Sequence, residues 1–300
     1  MDQNTTPVLV TGATGKQGGA TARALLAAGV PVRALVRDPE SERAKAVEAL
    51  GARLVRGDLY DRDSVRRAAE GTRAVFSVQM PDMNDLEGDS ELVHATNLVR
   101  AARDAGVPQF VHTSVSGAGA HRTAPGWQEG RWKTMEHYFE TKTAIQDLVR
   151  QAGFAYWTIL KPGFFMENFV RPSFLFAHGT EDRLLTIIKP DTTLSLIALR
   201  DIGAAAAAAV LDPAAFHQVE LELAGERLTM RQIAQVLSDV LGVELTAPSL
   251  SLAEAVAQGM PEWGVAHEWQ NQVGSPARPE YARALGLPTT DFRTWAAQNM

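Results

Sequence analysis

The feature that most restricts the fold of this chain is an apolar run at residues 8–10 that leads directly into a glycine-rich turn at 11–19. Gly12 can supply a sharp turn, Gly15 lets a ligand approach the backbone, and Gly18 lets the following helix pack tightly against a sheet. The start of that helix carries unpaired N–H groups and the positive end of the helix dipole, which favour a phosphate group. The segment therefore predicts a strand, a turn and a helix that bind a nucleotide cofactor.

The sequence after the turn favours this interpretation over an ordinary glycine turn without a ligand, because strands and helices alternate there. The predicted strands are 8–10, 32–36, 53–55, 74–78, 110–113 and 156–160, and the predicted helices between them are 16–28, 43–50, 64–69 and 90–105. Such alternation is typical of βαβ units, whose right-handed crossovers give a doubly wound parallel sheet. The predicted fold class is therefore an α/β Rossmann fold with a smaller C-terminal substrate lobe.

The alternation becomes less regular after Pro162, which predicts a change of role along the chain. An alanine-rich helix capped by Asp201 and a strand at 219–223 are expected to return to the first domain. The predicted domains are a cofactor-binding Rossmann domain of residues 1–162 plus about 194–224, and a smaller substrate-binding lobe of about 163–193 and 225–300.

Two sequence patterns in the smaller lobe mark the starts of helices. Thr229 with Gln232, and Ser251 with Glu254, match the capping box, in which each side chain of the pair satisfies a backbone N–H group of the other residue. Segments around three tryptophans are expected to pack with these helices over the strand ends, where ligands bind in such folds. The tryptophans are Trp263, Trp269 and Trp295.

Composition excludes several classes of function. The chain has no cysteine, which excludes disulfides, thiolate metal sites and cysteine nucleophiles, and its 7 histidines show no metal-ligand spacing, so we predict no metal. No stretch reaches the roughly 18 apolar residues of a membrane span, which predicts a soluble, cytoplasmic protein without a membrane partner. The net charge of −6, with no dense run of Lys and Arg, argues against direct binding of nucleic acid.

The end of the second predicted strand carries a cation where folds that prefer NAD place an acid. Arg37 occupies that position, and its guanidinium can bind a 2′-phosphate through two hydrogen bonds, with Arg43 assisting. The predicted cofactor is therefore NADP(H) in preference to NAD(H). In the alternative, Arg37 is a solvated surface residue and Asp38 binds the ribose.

The segment after the third predicted strand is a candidate for adenine binding. Asp58 is expected to bind the adenine amino group, and Leu59 is expected to contact the face of the adenine ring. In the alternative, the segment is a plain turn.

A second group with chemical potential is formed by Tyr138 and Lys142, which lie four residues apart and so share one face of a predicted helix. A phenol with a pKa of roughly 10 is a poor acid at neutral pH, and a neighbouring ammonium is expected to lower that pKa. Ser114 follows the fifth predicted strand, where a hydroxyl can orient a substrate carbonyl, and Ser116 is the alternative. We predict that Tyr138, Lys142 and Ser114 are catalytic; otherwise they are a surface pair and a turn-forming serine.

A polar loop at residues 121–132 carries two tryptophans, Trp127 and Trp132. Aromatic side chains on such a loop can stack on a nicotinamide or an unsaturated substrate, or can anchor the loop by burial. The sequence leaves both interpretations open.

Four motifs, in this order, resemble the NmrA-like family, an atypical branch of the short-chain dehydrogenases/reductases. They are residues 11–18, 32–39, 137–142 and 161–169. The resemblance implies a Rossmann domain that binds NADP(H), with Arg37 on the 2′-phosphate, Lys142 on the nicotinamide ribose, and Phe164 and Asn168 beside the nicotinamide. The full set of candidate cofactor-binding residues is Gly12, Thr14, Gly15, Lys16, Gln17, Gly18, Arg37, Asp58, Leu59, Gln79, Met80, Thr113, Lys142, Phe164 and Asn168.

The resemblance leaves two functions in competition, because the family contains reductases of quinones and carbonyls as well as NADP-binding redox sensors of transcription. Many sensor members lack the tyrosine, whereas this chain keeps Tyr138 and Lys142 with Ser114 upstream. We therefore expect hydride transfer from NADPH to a small carbonyl, quinone or related polarised double bond. The alternative function is a non-catalytic NADP(H) sensor that acts through a protein partner, and a third possibility is epimerase or isomerase chemistry. The oligomeric state is a separate question, and the sequence is compatible with a homodimer.

Overall fold

Alternating strands and helices build two sheets in the computed structural model of the chain, which describes residues 6–82 and 84–300. In chain order the strands are β1 (Val8–Val10), β2 (Val32–Val36), β3 (Arg53–Arg56), β4 (Ala74–Val78), β5 (Gln109–Thr113), β6 (Tyr156–Pro162), β7 (Phe164–Phe165), β8 (Thr193–Ile197), β9 (Val219–Leu223) and β10 (Glu226–Thr229). The helices are α1 (Lys16–Ala27), α2 (Glu42–Ala49), α3 (Arg62–Ala69), α4 (Ser90–Asp104), α5 (Lys133–Gln151), α6 (Leu199–Leu211), α7 (Met230–Leu241), α8 (Leu252–Ala257), α9 (His267–Gln272), α10 (Pro279–Ala284) and α11 (Phe292–Asn299).

The larger sheet has the order β3-β2-β1-β4-β5-β6-β9, and its first six strands in chain order pair in parallel. The chain builds outward from β1 to β3, then returns beside β1 with β4 and builds in the other direction. This reversal creates a crevice outside the carboxyl ends of β1 and β4, where doubly wound sheets bind their ligands. The predicted Rossmann fold is therefore confirmed.

The described residues divide into two compact units. The first unit contains the residues up to Gly119 together with His137–Lys161 and Leu199–Leu221, and the second contains Ala120–Glu136, Pro162–Ala198 and Glu222–Met300. These units differ from the predicted domains at three places. Residues 120–136 belong to the second unit, and the last segment of the first unit ends at Leu221 rather than at about 224. That segment also begins at Leu199 rather than at about 194, because β8 pairs with β10 and β7 in a separate three-stranded sheet.

The core of the first unit follows from the apolar strands and from small residues on two helices. Leu9, Val75 and Phe110 are fully buried along the sheet. The alanine-rich helix α6 lies against α1 so closely that a Cβ on Gly203 would stand 2.5 Å from the carbonyl oxygen of Ala20. Asp201 was predicted to cap this helix, but α6 begins at Leu199, so Asp201 lies in its first turn.

The second unit has its own core, centred on buried aromatic and aliphatic side chains such as Phe169, Phe292 and Trp295. Both predicted capping boxes are present. Thr229 caps the start of α7 and pairs with Gln232, and Ser251 caps the start of α8 and pairs with Glu254. No helix in the part of the chain that the structure describes is long and apolar enough to cross a membrane.

Candidate functional site

The glycine-rich turn between β1 and α1 has the geometry that its sequence predicts. Gly12 adopts a φ of +60°, which favours glycine, and a Cβ at this position would stand 2.7 Å from Val78 Cγ1. A Cβ on Gly18 would stand 2.3 Å from the carbonyl oxygen of Gly12. Helix α1 starts after Gly15 without any side-chain cap and without an acidic residue in its first turn. Its first N–H groups and positive dipole end are thus left for an anion, which fits a cofactor pyrophosphate.

Hydrogen bonds tie this turn to neighbouring strands of the sheet. The Thr113 hydroxyl at the end of β5 donates to Gln17 Oε1 at 2.7 Å. The Thr11 hydroxyl accepts from the Val78 N–H of β4 at 3.1 Å and donates to the Phe76 carbonyl oxygen at 3.2 Å. Because these bonds cross the switch point, they fix the turn relative to β4 and β5. Two predicted cofactor residues, Gln17 and Thr113, are brought together, and Thr14 and Lys16 are exposed beside them.

Arg37 lies exposed directly after β2, and no described residue pairs with its guanidinium. The neighbouring Asp38 carboxylate accepts the Glu40 N–H at 2.9 Å within the turn that leads to α2. Arg43 is exposed on α2. The Arg37 guanidinium is thus available to an anion, and the Asp38 carboxylate keeps further acceptor sites, so the phosphate and ribose interpretations both stay predictions.

Asp58 and Leu59, which follow β3, lie in a turn that is held by hydrogen bonds to side chains. The Asp58 carboxylate accepts the Tyr60 N–H at 2.9 Å, and the Leu59 carbonyl oxygen accepts from the Asn97 amide at 2.9 Å. Tyr60 is exposed and packs edge-on against His94 of α4, with ring centroids 4.2 Å apart. Burial lowers the pKa of His94, which Asp58 raises and Arg37 lowers to smaller extents. Arg37, after β2, and Asp58, after β3, are therefore both close enough to His94 on α4 to affect its pKa.

Gln79 and Met80, which follow β4, have different surroundings. Gln79 is buried, and its side-chain amide donates to Ser77 Oγ at 3.0 Å. Its backbone carbonyl oxygen accepts from Lys142 Nζ at 3.4 Å. Met80 is 70% exposed. Gln79 thus supports the neighbouring lysine, whereas the Met80 side chain is presented to solvent.

Helix α5 presents Tyr138 and Lys142 on one face, as predicted. Lys142 Nζ lies 5.6 Å from the centre of the Tyr138 ring. The ammonium is buried and forms an ion pair with the equally buried carboxylate of Glu91 on α4. The lysine charge that faces the phenol is therefore balanced by an acid 51 residues away in sequence, which no local pattern indicates.

The pKa of Tyr138 is raised rather than lowered, contrary to the prediction. Burial of the phenol is the main cause, and the charge of Glu91 adds to it. The nearby His112 on β5 has a pKa lowered to about 3, because it is buried and close to Lys142. His112 is therefore neutral at physiological pH, and the protonated phenol is the stable form of Tyr138.

Ser114 is buried directly after β5, where its N–H donates to the Leu160 carbonyl oxygen of β6 at 2.8 Å. Its hydroxyl oxygen accepts from the side-chain amide of Gln146 at 2.8 Å. Gln146 lies four residues after Lys142 on the same face of α5, a spacing that could have revealed it in the sequence. Glu91 gave no comparable signal, because only the tertiary fold brings it to Lys142.

The remaining predicted residues belong to the second unit. Phe164 lies in β7 and packs near Phe169, with ring centroids 5.9 Å apart. Asn168 lies in the 3₁₀ helix Met166–Phe169, and its carbonyl oxygen accepts from the Ser173 hydroxyl. Their predicted place beside a nicotinamide stays a prediction.

The two tryptophans of the loop at 121–132 are also in the second unit. Trp132 is buried, donates to the Pro125 carbonyl oxygen at 2.7 Å and packs edge-on against Trp269 with ring centroids 5.1 Å apart. Trp127 is partly buried and lies 6.1 Å from the same ring. Burial of Trp132 supports the interpretation in which the tryptophans anchor the loop.

Comparison with known proteins agrees with this architecture. The sequence profile of the NmrA-like family matches residues 4–271. The NAD(P)H azoreductase of Xenophilus azovorans is 30% identical to this chain over 302 residues, and the alignment covers 96% of each protein.

Two solved structures share the fold. The Citrobacter sp. triphenylmethane reductase complexed with NADP(H) has a TM-score of 0.77 at 21% identity, and the match covers 98% of this chain and 100% of that one. The negative transcriptional regulator NmrA in complex with NADP has a TM-score of 0.74 at 20% identity, and the match covers 98% of this chain and 95% of that one.

Proposed function

The chain belongs to the NmrA-like family, and from that premise we propose that it is an NADPH-dependent oxidoreductase that reduces a small carbonyl, a quinone or a related polarised double bond. The observation that carries this proposal is the presence, in one unit, of an uncapped glycine-rich helix start and of Tyr138, Lys142 and Ser114. A relative with 30% identity over nearly the whole chain, named an NAD(P)H azoreductase, supports an oxidoreductase.

The residues that would hold the cofactor are those of the turn and of the ends of β2 and β3. Gly12, Gly15 and Gly18 leave the backbone N–H groups of α1 accessible to a pyrophosphate. Arg37 would bind a 2′-phosphate, which is the basis for preferring NADPH over NADH. When bound, NADPH supplies the hydride.

The chain itself would supply the proton and would orient the acceptor. The protonated Tyr138 hydroxyl would donate a proton to the oxygen that gains negative charge during reduction. The raised pKa of Tyr138 suits an acid that must remain protonated, although it makes the phenol a weaker donor than expected. The Ser114 hydroxyl would orient the acceptor carbonyl by hydrogen bonding. Lys142 would hold the ribose while Glu91 balances its charge.

A second function, NADP(H) sensing without turnover, is favoured by one observation. Glu91 neutralises the ammonium that should activate Tyr138, so this phenol lacks the lowered pKa expected of an efficient proton donor. A sensor would discriminate NADP from NADPH and would change its affinity for a protein partner by linkage.

The deciding experiment measures NADPH oxidation by the purified protein with a panel that contains a quinone, an aromatic aldehyde, an enone and an azo compound. We expect turnover of at least one acceptor, and a loss of about 10²-fold in kcat for Tyr138→Phe, because general acid catalysis contributes about that factor. The affinity for NADPH, measured by calorimetry, should stay unchanged in this variant. Equal rates for both proteins would contradict the assigned role of Tyr138, and NADPH binding without turnover of any acceptor would favour the sensor.

A further inference from the structure

A chain of hydrogen bonds leads away from Ser114 through the face of α5. Gln146 Nε2 donates to Ser114 Oγ at 2.8 Å, and Gln146 Oε1 accepts from Arg150 Nη2 at 3.0 Å. Gln146 is completely buried and Ser114 nearly so, so water does not compete for these bonds. Ser114, Gln146 and Arg150 are therefore linked in series by hydrogen bonds.

The chemistry of Arg150 fixes the direction of this chain. A guanidinium has only donors, so the group of Gln146 that faces it must be the amide oxygen, and the amide N–H₂ must face Ser114. Arg150 is held in turn by Glu220, which accepts from its Nε at 2.7 Å and from its Nη2 at 2.8 Å. The pKa of Glu220 is lowered, chiefly by the hydrogen bond from Arg150, so this partner stays a carboxylate at neutral pH.

This direction determines what the Ser114 hydroxyl can do. The hydroxyl oxygen already accepts a hydrogen bond from Gln146, and a serine hydroxyl has one hydrogen to donate. Among residues 6–82 and 84–300, no side chain or backbone oxygen accepts that hydrogen. Ser114 follows directly after β5, at the sheet edge where ligands of this fold bind, so its hydrogen is left for a ligand.

We propose that Gln146 is a positioning residue that makes Ser114 a hydrogen-bond donor to the acceptor carbonyl, and that Arg150 with Glu220 fixes the direction of Gln146. The inference rests on the proposed reductase function and deepens it. It names the polarity of the interaction: Ser114 would recognise an acceptor oxygen and would discriminate against a ligand that presents only a donor N–H or O–H at that point.

Two substitutions of similar size separate this polarity from simple packing. In Gln146→Glu the side chain still pairs with Arg150, but a carboxylate can only accept, so the Ser114 hydrogen turns toward it and is lost to the ligand. In Gln146→Met the hydroxyl loses its partner but can still rotate to donate. We expect kcat for the best acceptor to fall about 10²-fold in Gln146→Glu, close to the value of Ser114→Ala, and less than about 10-fold in Gln146→Met. If Gln146 only fills space, Gln146→Met should lower kcat more than Gln146→Glu does.

Binding of 2-methyl-1,4-naphthoquinone in the presence of NADP⁺, followed by quenching of tryptophan fluorescence, gives a readout without turnover. We expect an affinity about 10-fold weaker in Gln146→Glu, which matches the loss of one hydrogen bond, while the affinity for NADPH stays unchanged. In a Ser114→Ala background the same substitution should change nothing. Thermal unfolding checks that each variant folds.

The outcomes separate this inference from the proposed function. If the wild-type protein binds the quinone but reduces no acceptor, the proposed function fails, and the binding series still decides the role of Gln146. If Gln146→Glu keeps wild-type quinone affinity while Gln146→Met loses it, the positioning role of Gln146 is overturned. A wild-type protein that does not bind the quinone with NADP⁺ would overturn it as well.

Discussion

The buried ammonium of Lys142 on α5 is paired with the buried carboxylate of Glu91 on α4. Two charges removed from water in this way are stable only because each compensates the other. The pair joins the helix that carries Tyr138 to the helix beside the end of β4. It therefore sets both the position of Lys142 and the electrostatic field at the phenol.

Removing the acid should make Tyr138 easier to ionise. Glu91 is the second cause, after burial, of the raised pKa of Tyr138, so Glu91→Gln should lower that pKa. Because the protonated phenol is the active form, the decline of kcat with rising pH should begin at a lower pH than in the wild type. The measurement is a pH profile of NADPH oxidation, with Glu87→Gln as the control because Glu87 is exposed. An unchanged profile in Glu91→Gln would contradict the coupling.

The same variant should be less stable, because it leaves the buried ammonium of Lys142 without its partner. Breaking one side of a buried pair costs about 3–5 kcal/mol. The free energy of unfolding from urea titration at neutral pH measures this loss. A free energy of unfolding equal to that of the wild type would contradict this prediction, because it would mean that another acid pairs with Lys142 in the variant.

Replacing Gly18 by alanine should weaken cofactor binding. The new Cβ would stand 2.3 Å from the Gly12 carbonyl oxygen, so the start of α1 must move relative to the turn. Overpacking of this kind costs about 1–3 kcal/mol, and we expect the Kd for NADPH to rise at least about 10-fold. Gly106→Ala, after α4, is the control for a glycine substitution outside the turn: Gly106 has a φ of +70°, which alanine rarely adopts, but no atom lies within 4 Å of the added Cβ. Equal Kd values for the two variants would argue against a pyrophosphate at this turn.

Arg37 should decide the preference for NADPH. Loss of a charge-assisted hydrogen bond costs about 1.5–3 kcal/mol, so Arg37→Ser should weaken NADPH about 10- to 100-fold and leave NADH nearly unchanged. Arg67→Ser makes the same change of net charge at an exposed position on α3 and should affect neither cofactor. Unchanged affinities for both NADPH and NADH in Arg37→Ser would instead support the alternative in which Arg37 is solvated and Asp38 binds the ribose.

Buried His267 should make the protein sensitive to acid. Burial lowers its pKa to about 4, below the ordinary value of 6.5, so the unfolded chain binds a proton that the folded chain rejects. Stability should therefore fall as the pH drops from 6.5 toward 4, by up to about 1.4 kcal/mol per pH unit for this group. His267→Phe should reduce this slope in urea titrations, although the buried His112 will keep part of it. His178→Asn, at an exposed histidine, should leave the slope unchanged.

Much of the fold could be predicted because local sequence determines it. The apolar runs at β1, β2 and β4 have the predicted bounds, and the capping boxes at Thr229 and Ser251 begin helices as expected. Such signals act within a few residues. The bounds of the two compact units have no such local signal, because the pairing of β8 with β10 and the burial of Trp132 against Trp269 depend on segments far apart in the chain.

The candidate site divides in the same way. The glycine positions of the turn, the cation at Arg37 and the shared face of Tyr138, Lys142 and Gln146 are properties of short sequence segments, since backbone conformation and helical periodicity fix them. The tertiary structure alone decided which groups surround Lys142 and Ser114. Glu91 is 51 residues away from Lys142 in sequence, and Gln146 is 32 from Ser114. Burial and the charges of distant partners set the pKa of Tyr138 and the direction of the Ser114 hydrogen bond, and no local pattern encodes either.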